Sequence, residues 1–323
     1  VIKRVIDEML TAAVAVRASD IYVLPQATGY LVRLRYAQTV QLWREVSRTM
    51  GEQLISYLKF QANMAISDQR RPQVGALNWT GKNGDLELRF STVGDYAARE
   101  SLVIRIIYPY FSGNMAFLDA RQPAKLTQLA QQRGLMVFAG PTGSGKTTTM
   151  YLTARQLERT AMVLTIEDPV EIRETKFVQL QVNVAAEMTY AELLKVGLRH
   201  RPDVFIIGEI RDAVTAQAAV RAALSGHLVL STVHARSAGG VLTRLTELGV
   251  SLDQLQQVLT MTSYQRLVPR VTGGPAVLLD IVTGRELQKD RQLEFSERWW
   301  GALETARVNG EVSREVAQQL RYG

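Results

Sequence analysis

Cysteine is absent from the 323 residues, which excludes disulfides and thiolate metal sites and fits a cytoplasmic location. Histidine is nearly absent too, with three in the chain. No uninterrupted apolar run is long enough to cross a bilayer. The nearest approach is MLTAAVAV near the start, but Asp7 and Glu8 precede it. Ile2, Val5, Ile6, Met9, Leu10 and Ala13 recur at helical spacing, so an amphipathic first helix is expected rather than a signal peptide. Aromatics are sparse and none interleaves with a basic block. The 38 basic against 31 acidic residues give a formal charge of +7, which raises the question of a nucleic-acid or anionic-membrane partner. Because the basic residues are scattered, the charge reads as solvated surface and arginine-mediated protein contacts, and no direct nucleic-acid binding is expected. There is no internal repeat and no low-complexity tract.

What is present divides into two halves. From residue 20 to about 107, DIYVL, YLVRLRY, GDLELRFSTV and SLVIRIIY read as strands and GEQLISYLKFQAN as a helix, an α+β pattern. YPYFSGNMAFLDARQP gathers Pro109, Gly113, Asn114 and Pro123 and reads as a joint over 108–122. Beyond it, apolar runs alternate with helical segments such as TAQAAVRAALSG: GLMVFA, AMVLTIED, DVFIIGEI, HLVLSTVH and AVLLDIVTG. That order predicts a parallel sheet covered on both faces, with ligands at the carboxyl ends of its strands. The segments from about 239 to 323 read as mostly helical with one strand, and Trp299 and Trp300 as packing residues.

The chemistry concentrates at those strand ends. In GLMVFAGPTGSGKTTTMY, a strand-like run leads into Gly140, Pro141, Thr142, Gly143, Ser144, Gly145, Lys146, Thr147 and Thr148. Glycines at this spacing let successive amides turn inward around phosphates, and the helix that follows adds the positive end of its dipole. Lys146 then reaches the β- and γ-phosphates of ATP and the Thr147 hydroxyl holds Mg2+. TIEDPVEIR places Glu167 and Asp168 at the end of one strand, and RPDVFIIGEIRD places Glu209 at the end of another. Acids there orient or deprotonate an attacking water, or hold water on the magnesium. Gly208 is read as leaving room for the phosphates. GHLVLSTVHAR adds Thr232 and His234, with His234 the candidate for sensing the γ-phosphate. His227, seven residues earlier, falls at the far end of that strand, where packing or capping competes with a ligand role. Three readings share these features: a motor ATPase, a DNA translocase or helicase, and a regulatory protein that binds ATP without turnover.

Taken in order, GPTGSGKTT, TIEDPVE, RPDVFIIGEIRD and GHLVLSTVHA resemble the Walker A, Asp, Walker B and His boxes of the type II secretion and type IV pilus ATPase superfamily. The resemblance covers nearly the whole chain, since ASDIYVLP, RRPQVGAL, LRFSTV and LVIR are similar to segments of that family's N-terminal half. It implies a RecA-like P-loop ATPase domain with a mostly parallel sheet over 123–323, preceded by a smaller α+β, PAS-like domain over 1–107. It also implies a homo-hexamer, peripheral at the inner face of the cell membrane on a polytopic platform protein, in which hydrolysis drives pilin subunits into a fibre. GEIRD and AALSGH resemble the assembly or secretion branch rather than retraction motors. RHRPD and the short N-terminus resemble the competence pseudopilus ATPases of Gram-positive bacteria, which implies a part in DNA uptake. The family's four-cysteine insert is missing, so no zinc is expected; Tyr22 stands where the family has histidine, and Arg99 where it has glycine. Arg89 and Arg105, 16 residues apart, match the family's paired arginines and are implied to be arginine fingers acting across a domain or subunit boundary. The ordinary reading of such residues is exposed surface. Arg211 is a further finger candidate, with an ion pair to a neighbouring acid as its alternative.

Overall fold

The computed structural model describes residues 2–36, 39–81, 84–108, 115–183, 186–289 and 295–322. It divides into two compact units, Val1–Phe111 and Ser112–Gly323. The joint expected over 108–122 falls in good part on 109–114, outside the described residues; Pro123 belongs to the opening turn of a helix.

In the first unit, helix α1 (Ile2–Ala15) buries Ile6, Met9, Leu10 and Ala13, the stripe its sequence periodicity predicts. Strands β1 (Asp20–Pro25), β2 (Gly29–Tyr36) and β3 (Thr39–Ser47) precede helix α2 (Arg48–Gln61), whose first turn is capped by the Ser47 hydroxyl accepting from the Met50 amide. Strands β4 (Gln73–Gly81), β5 (Gly84–Gly94) and β6 (Glu100–Ile107) complete an antiparallel sheet in the order β3-β2-β1-β6-β5-β4. Ile21, Val23, Val32, Leu34, Leu88, Phe90, Leu102 and Ile104 form its buried face with α1 and α2. The edge strands β3 and β4 go beyond the sequence reading, and every residue of β3 is exposed or half-exposed, so it has no buried face to mark it.

The second unit runs α3 (Gln122–Ala130), β7 (Gly134–Ala139), α4 (Lys146–Arg155), β8 (Val163–Glu167), β9 (Val178–Gln181), α5 (Tyr190–Arg199), β10 (Val204–Ile207), α6 (Ala213–Leu224) and β11 (Leu228–Val233). It continues through α7 (Gly240–Glu247), α8 (Leu252–Val258), β12 (Leu259–Val268), β13 (Ala276–Thr283), α9 (Gly284–Lys289), α10 (Glu297–Val308) and α11 (Arg314–Gln319). The sheet order is β13-β12-β7-β11-β10-β8-β9, and every pair is parallel except β12 with β13. All residues of β7, β8, β10 and β11 are buried, as strands covered on both faces require. Each fully buried Leu or Ile there contributes about 1.5–3 kcal/mol, against about 0–1 kcal/mol for an exposed ion pair such as Arg48–Glu52. Apolar burial therefore holds each unit.

Past residue 238 the sequence reading needs correction. Two strands form rather than one, and β13 joins the sheet antiparallel through β12. β12 escapes a hydrophobicity pattern because its buried positions include Thr262, Ser263 and Gln265. Trp299 is a packing residue: it is fully buried, with its ring beside Tyr264 of β12 and Phe295. No helix among the described residues is long and apolar enough to cross a membrane.

Candidate nucleotide site

Parallel pairing of β7, β11, β10 and β8 brings four carboxyl-terminal strand ends to one edge of the sheet. The register aligns Val137, Ser231, Ile207 and Ile166 in one row, so the residues that follow emerge side by side. From β7 the chain enters the glycine-rich loop. Gly140 has φ 145° and Gly145, which caps α4, has φ 85°. A side chain at Gly140 would cost strain of about 1–3 kcal/mol and set its Cβ 2.4 Å from the Gln265 carbonyl oxygen. Lys146 lies at the start of α4 and folds back over the loop, its ammonium donating to the carbonyls of Gly140 (2.8 Å) and Pro141 (3.0 Å). Burial lowers its pKa, opposed by the negative charges of Glu209 and Glu171. Thr147 and Thr148 are half-buried in the same turn, while Thr149 is fully buried.

Glu209 follows β10 and is held on both carboxylate oxygens. Oε2 accepts from the Arg211 guanidinium, and Oε1 lies 2.9 Å from Nε2 of His234, which follows β11. Arg211 is thus in an ion pair with the acid two residues before it, and this hydrogen bond raises its pKa. Thr232 fixes the turn that carries Glu209: its hydroxyl donates to the Gly208 carbonyl at 2.7 Å and its carbonyl accepts from the Ile210 amide at 2.9 Å.

Glu167 is placed differently. It is 2% exposed and accepts a hydrogen bond from the hydroxyl of Tyr151 on α4, which in turn accepts from Gln179 of β9 at 2.7 Å. Burial raises its pKa, and the Tyr151 hydrogen bond opposes the shift. Gly208 packs closely against Glu167, since a Cβ there would meet Glu167 Cγ at 3.2 Å. His227 takes the capping role, with Nδ1 2.9 Å from the Ala222 carbonyl near the end of α6 and its ring edge-on to Phe205.

Arg89 and Arg105 belong to the first unit and are directly opposite one another on β5 and β6. Arg105 also faces Asp20, which faces Arg35, so one cross-strand row carries three arginines and one carboxylate. Like charges directly opposite are unfavourable. Each has a carboxylate partner here: Arg89 Nε donates to Glu87 at 2.8 Å and Arg105 Nε to Asp20 at 3.0 Å. Arg105 remains more than half exposed.

The structure therefore gathers the loop, Lys146, Glu209, Arg211 and His234, and adds residues the sequence did not single out. Glu171 acts on Lys146 through space, and Tyr151 with Gln179 holds Glu167. Gln265 of β12, fully buried, donates from Nε2 to the Ser144 carbonyl at 2.6 Å. No apolar run marks β12, whose sequence is LTMTSYQRLV, so nothing in the sequence singles out Gln265. Among the described residues no group of three or more His, Cys, Asp or Glu side chains could hold a metal by itself. The donors present fit Mg2+ shared with phosphates, because that ion takes hard oxygen ligands from one or two side chains and completes its shell with water and phosphate. Thr147 and Glu209 offer such oxygens.

The family model described as Type II/IV secretion system protein matches residues 1–299. Competence protein ComGA of Streptococcus pneumoniae (strain ATCC BAA-255 / R6) is 39% identical over 298 residues, 92% of this chain and 92% of that protein. The type IV pilus assembly ATPase TfpB of Acinetobacter baylyi (strain ATCC 33305 / BD413 / ADP1) is 35% identical over 310 residues, 94% of this chain and 53% of that one. Among solved structures, the Legionella pneumophila ATPase DotB superposes with a TM-score of 0.77 at 21% identity, covering 98% of this chain and 94% of that chain.

Proposed function

The chain belongs to the type II/IV secretion system protein family, and from that premise we propose that it hydrolyses ATP to drive assembly of a competence pseudopilus, a fibre of the type IV pilus kind that serves DNA uptake. The second unit is read as a RecA-like ATPase domain and the first as a PAS-like domain. The observation that carries the reading is the convergence of the Lys146 loop with Glu209 and His234 at neighbouring strand ends. A translocase reading is not favoured, since the basic residues are scattered along the sequence and no aromatics interleave with a basic block.

In the proposed reaction the amides of Gly143 to Thr147 cradle the β- and γ-phosphates, and Lys146 exchanges its two carbonyl partners for phosphate oxygens. Mg2+ would supply neutralisation of phosphate charge, with Thr147 as a ligand and Glu209 reaching it through water. Glu209 leaves Arg211 and His234 to orient the attacking water and take its proton. Glu167, shielded by Tyr151 and Gln179, sets the electrostatics beside it. Arg89 and Arg105 stabilise charge on the γ-phosphate as the bond breaks. The working form is a homo-hexamer, peripheral at the inner face of the cell membrane, on a polytopic platform protein.

The test separates binding from turnover. Glu209→Gln keeps the shape of the side chain and is expected to bind ATP at close to the wild-type affinity while releasing phosphate about 100-fold more slowly or worse. Nucleotide titration beside phosphate-release rates checks this. Normal turnover in Glu209→Gln would transfer the role to Glu167, and a wild type that binds no ATP would overturn the reading entirely.

A further inference from the structure

The phosphate loop is built around one side chain that belongs to neither the loop nor its helix. Gln265 comes from β12, more than a hundred residues later, where Tyr264 pairs in parallel register with Ala139, the last residue before the loop. Its backbone and side chain meet the loop at both ends. The Gln265 carbonyl oxygen lies 2.4 Å from where a Cβ on Gly140 would be, and the side-chain amide nitrogen lies 3.0 Å from where a Cβ on Gly145 would be. That same nitrogen donates to the Ser144 carbonyl at 2.6 Å. Two glycines of the loop thus make room for Gln265 as well as for phosphate. Its neighbour Tyr264 anchors the strand on the other side, edge-on to Phe295 and Trp299 at 5.4 and 5.8 Å between ring centroids.

The polar atoms are unevenly served. Gln265 Oε1 and Ser144 Oγ are buried and have no hydrogen-bond partner among the described residues. A buried amide oxygen left without a partner is a cost to the folded state. An apolar residue of this size would remove that orphan oxygen but leave the Ser144 carbonyl without its donor, so the case for glutamine rests on the bond it makes to the loop. What glutamine adds is a donor aimed at one carbonyl of the loop. With the Ser144 carbonyl turned inward to accept, its peptide plane is held, and the N–H on the opposite side of that same peptide belongs to Gly145 at the entry to α4.

We propose that Gln265 is a positioning residue for the nucleotide site, holding the phosphate loop in its binding shape before ATP arrives. The inference rests on the reading of the loop as an ATP site. Its effect is on pre-organisation: without the clamp, part of the binding free energy goes into ordering the loop. Gln265 reaches the phosphates only through the loop backbone, so it acts on affinity more than on the bond-breaking step.

Gln265→Met conserves length and volume and removes both the donor and the orphan oxygen. The expected result is a rise of about ten-fold or more in KM and Kd for ATP, kcat within about three-fold of wild type, and a melting temperature without nucleotide close to that of the wild type, because one unpaired oxygen is lost and another, the Ser144 carbonyl, takes its place. Gln265→Asn keeps the amide but falls one methylene short of Ser144 and should show the same rise in Kd, which covers the case in which the methionine variant does not fold. Gln265→Glu, which cannot donate when ionised, should lose more affinity than either. Wild-type Kd in Gln265→Met or Gln265→Asn would overturn the clamp, as would an affinity loss that appears only together with a matching fall in melting temperature. Failure of the wild type itself to bind ATP would instead remove the reading of the site.

Discussion

Lys146→Ala is expected to lose tight ATP binding, with Kd rising about 100-fold or more, while the protein stays folded. The ammonium makes two hydrogen bonds to loop carbonyls in the structure and is lowered in pKa by burial, so it is a desolvated cation waiting for a stronger partner. In exchanging neutral carbonyls for anionic phosphate oxygens the ammonium gains the attraction of full negative charge, and a net gain of about 2.8 kcal/mol corresponds to the factor of about 100. The loop amides remain in the variant, but they cannot replace a point charge. Titration with a labelled ATP analogue, beside a melting curve without nucleotide, checks it. Wild-type affinity in Lys146→Ala would mean that the loop is not the nucleotide site, however well its backbone fits one.

Arg89→Ala and Arg105→Ala are expected to fail at the next step. Both should fold and bind ATP, and both should lose turnover by about three powers of ten, the effect of removing an arginine that stabilises charge on the transferred phosphoryl group. The two guanidiniums stand directly opposite on adjacent strands, in a row that also holds Arg35. Their carboxylate partners, Glu87 and Asp20, are also in the first unit. Arg105 is more than half exposed, and an ion pair at such exposure is weak enough to be given up for a phosphate. If the arginines serve a neighbouring subunit, mixing inactive Arg89→Ala with inactive Glu209→Gln should restore part of the activity. Undiminished phosphate release by both arginine variants would sink the proposal and direct attention to Arg33, Arg35 or Arg211.

Lys146 and its loop are legible in the sequence alone, whereas the pairing of Arg89 with Arg105 is not. The glycine-rich loop, Lys146 and Thr147 are contiguous, so the chemistry that needs them is written in one stretch. Glu209 and His234 are legible for a related reason: buried parallel strands are nearly pure apolar runs, and a polar residue after such a run marks its carboxyl end. Strands that bury little lack this contrast: β3, β4 and β9 close sheet edges largely exposed or half-exposed, whereas β13, an edge strand buried almost throughout, reads as an apolar run.

Three properties belong to tertiary structure alone. That Glu167 is shut beneath Tyr151 depends on α4 and β9 meeting over the end of β8. That Arg89 and Arg105 face one another depends on the register of β5 and β6, which a shift of one residue would turn to opposite faces. That Gln265 supports Ser144 depends on β12 lying beside β7 across a sequence separation of 121 residues. By itself the sequence determined the groups that chemistry needs close together along the chain, because local spacing and local backbone conformation suffice to place them. Which distant residue completes, shields or clamps those groups was decided only when burial of the apolar strand faces fixed the pairing and brought side chains from separate strands within hydrogen-bonding distance.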